Sequence, residues 1–117
     1  VDVRLNNQSQ LAGFSKGKDL SYFLKVICNC LYEHEVKFAP TKEILSSYKK
    51  GSISWEEYVI QFNNLIELRD MSTFFQKNYM KYENVLLLCS EVTPEKCHRR
   101  LLAEKFAKEI GCKINHL

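Results

Sequence analysis

The chain has 117 residues, 45% of them apolar and 26% charged, with a net charge of +3. That is the length of one domain with enough apolar material for a core, which excludes a disordered or low-complexity chain. The mild positive balance permits an anionic partner without demanding one, and a dedicated nucleic-acid binder is often more basic.

In chain order, residues 1–5 read as a short strand, and the abrupt start implies a further strand and helix ahead of it. Residues 6–18 are polar, with Gly13 and Gly17, and read as a long functional loop closed by Asp19 as a helix cap. Leu20, Phe23, Leu24, Ile27, Cys28, Leu31 and Tyr32 follow the three-and-four spacing of a helix with one buried face. Residues 35–39 alternate like a strand. Pro40-Thr41 starts a helix that Lys49, Lys50 and Gly51 end. Ser54 and Glu57 have capping-box spacing ahead of a helix burying Trp55, Tyr58, Val59, Phe62, Leu65 and Ile66. A short helix over 72–80 leads to an apolar strand at 85–88. Thr93 as cap and Pro94 as first helical residue open a helix to Ile110, with Gly111 after its end. Residues 112–117 alternate as a last strand.

This order predicts an α/β fold. We expect a single domain over 1–117 with three layers and a mostly parallel sheet of about four strands, helices on both faces, and right-handed crossovers. Ligands in such sheets bind beyond the carboxyl ends of the strands. Two strand ends carry functional groups there: Asp2 and Arg4 on the first, Cys89 and Glu91 on the third. A helix starting at Thr93 would add free amides and a positive dipole end, with Cys97 and His98 near its first turn and Arg99 and Arg100 close by.

Such a rim favours an anion, and Arg4 and Arg99 are the groups to hold it. The same field would lower the pKa of a thiol and keep Glu91 ionised, so Cys89, Glu91 and His98 are the candidates for nucleophilic or acid–base work. Asp2 and Cys97 complete the binding set. The bland alternative for Glu91 is a pair with Arg4. On a helix Cys97 and His98 would diverge by about 100°, and one of Arg99 and Arg100 would face solvent. The bland alternative is a cluster that merely packs and hydrogen-bonds. Zinc is disfavoured, because seven residues separate Cys89 from Cys97 and the latter adjoins His98 directly, which matches no ligand knuckle. No metal and no cofactor are expected.

Five cysteines, an odd number with no secretory signal, argue for a reducing cytoplasmic setting rather than a disulfide framework. The longest apolar run is too short for a bilayer, so no membrane partner is expected. Lys16, Lys18 and Lys25 are scattered and interleave weakly with Phe14, Tyr22 and Phe23, which reads as a solvated face rather than a nucleic-acid groove.

Cys89-Ser90-Glu91 with Cys97-His98-Arg99, preceded by Asp2-Val3-Arg4 on an early strand, resembles the family catalogued as domain of unknown function 488. The stretches from Phe38 to Glu43 and Tyr48 to Tyr58 and the closing Ile114-Asn115-His116 extend the resemblance along most of the chain. It implies a small bacterial or archaeal cytoplasmic α/β protein of uncharacterised function. Members typically begin with a strand and helix that this sequence lacks, and many have Pro after Asp-x-Arg where this chain has Asn6-Asn7. The functional expectation is an anionic, phosphate-bearing or nucleotide-like small molecule bound at the rim. An architectural Cys/His module, with or without metal, and a nucleic-acid-associated module are the alternatives.

Overall fold

The computed structural model describes residues 1–8 and 15–117. The central part of the predicted loop, with Gly13 and Phe14, lies outside the described residues.

Among the described residues the elements are helices: α1 (Gly17–Cys28), α2 (Lys42–Lys49), α3 (Trp55–Leu68), α4 (Met71–Tyr79) and α5 (His98–Ile110), with a 3-10 turn at Val36–Phe38. No strand and no sheet form among them, so the predicted three-layer α/β architecture is corrected to a helical one. Three extended segments do run parallel, but they meet only at Asp2, which bridges His34 on one side and Leu88 on the other. Side chains take the backbone groups that would have lengthened the ladder. The amide of Arg4 donates to the Asp2 carboxylate, and the Val3 and Arg4 carbonyls accept from His98 and His34. In the middle segment Glu35 accepts from the amide of Lys37, which winds residues 36–38 into the 3-10 turn where a strand was expected. Residues 112–117 form no strand either.

Local capping chemistry explains the helices that do form. Thr41 accepts from the amide of Ile44 at the start of α2. Ser54 and Glu57 close a reciprocal capping box on α3. α5 ends at Gly111, whose φ of +83° is a left-handed conformation that glycine adopts without strain. Its start is corrected: Cys97, not Thr93, precedes the first turn, because Cys97 donates its amide to Pro94 and closes a tight turn first. α1 begins at Gly17 behind Lys16 with no side-chain cap, leaving Asp19 in its first turn.

α3, α4 and α5 pack on one another around Phe38, Phe62, Ile66, Met71, Leu102 and Phe106. Phe38 touches Phe74, Phe75, Tyr79 and Phe106, and the Phe75 and Phe106 rings stack at 4.4 Å. α1 stands apart. Its predicted buried face is open, with Phe23, Ile27 and Cys28 exposed along with Leu31 just beyond. No helix among the described residues is long and apolar enough to cross a membrane.

Candidate functional site

Asp2 and Arg4 are two residues apart in an extended segment, so their side chains share a face. They make a bidentate pair, with Nε to Oδ1 at 2.8 Å and Nη2 to Oδ2 at 2.6 Å. The pair is buried and further bonded: Arg4 Nη2 also donates to the Ser15 carbonyl, and the Tyr32 hydroxyl donates to Asp2 Oδ2 at 2.6 Å. Asn7 donates in turn to the Tyr32 hydroxyl. Burial alone would raise the Asp2 pKa, but the hydrogen bonds from Arg4 and Tyr32 outweigh it and hold the carboxyl below its ordinary value. Arg4 is therefore committed to Asp2 and the Ser15 carbonyl through Nε and Nη2, and the alternative pair with Glu91 does not form.

The second cluster joins the extended segment before Cys89 to the start of α5. His98 is buried against Phe62. Its Nε2 lies 2.9 Å from the Val3 carbonyl, which can only accept, so Nε2 carries the proton. Nδ1 then faces the Cys89 sulfur at 3.7 Å. Cys97 is outside the helix, with φ −130° and ψ 137°, so the helical divergence expected between it and His98 does not apply and both turn inward. Arg99 Nη1 donates to the Glu91 carbonyl at 2.6 Å and lies 3.6 Å from the Cys97 sulfur.

These contacts separate the two thiols. Cys97 donates its S–H to Cys89, the largest influence on Cys89. Burial opposes it, His98 reinforces it, and together they bring the Cys89 pKa down to about 4. The same hydrogen bond, given as donor, and burial push Cys97 well up. Tyr58 stays a neutral phenol, raised by burial and by the neighbouring Cys89 and Cys97. Cys89 thus holds the negative charge, with the Cys97 thiol and the His98 imidazole as its partners.

Cys89 is half-buried and lines a groove of about 350 Å³. Glu91 and Arg99 stand at the same end, and Leu86, Leu88, Phe106, Ile114 and Leu117 line the apolar remainder. Of the predicted site, the structure brings together Cys89, Cys97, His98 and Arg99. Glu91 enters through its carbonyl rather than its carboxylate. Asp2 and Arg4 connect to the cluster through the Val3 carbonyl between them and through the bridge from Asp2 to Leu88, next to Cys89. Arg100 turns to Glu104 at 3.4 Å. Tyr32 and His34 escaped the sequence reading. Tyr32 has helical spacing that reads as apolar core, and His34 carries no local motif.

The two sulfurs and a His98 nitrogen lie within 4.8 Å of one another. A tetrahedral zinc, with bonds of about 2.3 Å to sulfur and about 2.1 Å to nitrogen, holds its donors within roughly 3.8 Å of each other. The 3.7 Å between the Cys89 sulfur and His98 Nδ1 fits that limit, while the Arg99 guanidinium already supplies positive charge beside Cys97.

No curated protein and no solved structure matches the chain. A family model does match, over residues 1–106, which include every residue of both clusters. The chain belongs to the family described as Domain of unknown function DUF488.

Proposed function

We propose that this protein carries a thiolate nucleophile, Cys89, that acts on a small molecule whose anionic group, phosphate or carboxylate, sits beside Arg99. The observation that carries the reading is the chain from the Val3 carbonyl through His98 to Cys89, which fixes the imidazole with its proton-accepting nitrogen toward the thiol. His98 takes the thiol proton and holds it for return to a leaving group. Cys97 donates to the thiolate, and Arg99, anchored by the Glu91 carbonyl, supplies charge for the ligand. Arg4, assigned to the anion by sequence, serves instead to hold Asp2 and the segment that presents the Val3 carbonyl.

An architectural cluster is the competing reading, favoured by the burial of Cys97 and His98. Alkylation separates the two, and the exposed Cys28 and Cys30 serve as internal controls. Between about pH 5 and pH 8 the labelling rate of Cys89 by iodoacetamide stays nearly flat, while that of Cys28 and Cys30 falls about tenfold per pH unit on acidification. Iodoacetate, of similar size but charged, gains on iodoacetamide at Cys89, and Arg99→Gln removes that gain. Parallel pH profiles for Cys89 and the controls would favour the architectural reading.

A further inference from the structure

Cys97 is more than a hydrogen-bond donor in this arrangement. It is 1% exposed and does not line the groove, so a reagent in the groove meets Cys89 first. The Cys97 sulfur lies within 4.8 Å of the Cys89 sulfur, and a disulfide needs about 2.05 Å. The segment between them can supply the approach: Ser90, Glu91, Val92, Thr93, Glu95 and Lys96 are exposed, Val92 by 93%. Cys97 itself is extended and precedes the first turn of α5, so its movement need not unwind the helix.

We infer that Cys89 and Cys97 form a reversible dithiol–disulfide couple, with Cys89 attacking, Cys97 resolving, and a small organic disulfide as oxidant. The inference rests on the nucleophile reading above. In the first step the Cys89 thiolate bonds to one sulfur of R–S–S–R, the S–S bond breaks, and RS⁻ leaves with the electron pair, taking the proton held on His98. In the second, Cys97 loses its proton to the neutral His98, and its sulfur attacks Cys89. The Cys89–S–R bond breaks and a second RS⁻ departs with that proton. One protein dithiol and one R–S–S–R become one protein disulfide and two R–SH. Arg99, 3.6 Å from the Cys97 sulfur, stabilises the thiolate that must form in the second step. The apolar groove with Arg99 at its head favours R groups that are apolar and carry a carboxylate. Two thiols of R–SH reverse the sequence.

Dithiobis(nitrobenzoate), an aryl disulfide bearing carboxylates, is a suitable probe. One equivalent is added to the Cys28→Ser/Cys30→Ser/Cys112→Ser variant, and both released thionitrobenzoate and intact mass are followed. The couple predicts two thionitrobenzoates released per reagent, a protein lighter by two hydrogens, and no retained adduct. Cys97→Ser on that background keeps one adduct on Cys89. Non-reducing peptide mapping of the wild-type chain gives the same readout without any substitution, as a Cys89–Cys97 cross-linked peptide that dithiothreitol releases. A stable adduct on Cys89 with Cys97 intact overturns the couple and leaves the nucleophile assignment standing. No labelling of Cys89 while Cys28 and Cys30 of the wild type react overturns both.

Discussion

At the scale of single residues, the site depends on protons and carbonyls that have no second place to go. His98 is held between the Val3 carbonyl and Cys89, and Arg4 between Asp2 and the Ser15 carbonyl. Removing one partner of such a buried pair leaves the other charge uncompensated, which costs far more than the pair contributes net. Asp2→Ala is accordingly expected to lower unfolding stability by about 3–5 kcal/mol, read by urea titration. The pH dependence has a definite sign. The folded-state pKa of Asp2 is depressed, so its contribution is present above its unfolded value of about 3.9 and is lost as pH falls through the lower folded value. The wild type should therefore lose more stability in that acid range than Asp2→Ala does.

At the scale of elements, the sequence was informative wherever the decisive partner was a few residues away. The Thr41 cap, the Ser54–Glu57 box and the Gly111 terminus depend on contacts one helical turn long, and all three are present. Ser54→Ala should cost about 1 kcal/mol, measured by thermal unfolding, because the amide of Glu57 loses its acceptor. The strands were not legible, since an apolar alternating run says nothing about which groups compete for its amides. Here the Asp2 carboxylate took the Arg4 amide, His34 and His98 took the Arg4 and Val3 carbonyls, and the sheet stopped at single bridges. Thr93-Pro94 has the composition of a helix start, but the turn that ends in Cys97 captured it. α1 has a sound amphipathic spacing and still leaves its apolar face open, because spacing gives the direction of a face and not its partner. The bidentate Asp2–Arg4 pair was legible in principle from its two-residue spacing in an extended segment. Tyr32, which completes it from thirty positions away, was not.

At the scale of the whole molecule, three distant parts of the chain build one site: the segment around Val3, the run ending at Cys89, and the start of α5. The pile-up of Cys89, Cys97, His98 and Arg99 was visible as a sequence cluster. What the fold adds is the division of roles, with one thiol charged and open to a groove and the other protonated and buried. That division also couples the site to global stability. The depressed Cys89 contributes stability present above the ordinary thiol pKa of about 8.5 and lost as pH falls toward about 4. The raised Cys97 contributes stability present below about 8.5 and lost at higher pH. The most direct measurement is the ultraviolet absorbance of the thiolate in the Cys28→Ser/Cys30→Ser/Cys112→Ser variant, titrated folded and in denaturant. The folded protein should keep one thiolate down to about pH 4, and the unfolded chain should titrate both thiols near about 8.5. Coincident titrations near that ordinary value in both states would contradict the account.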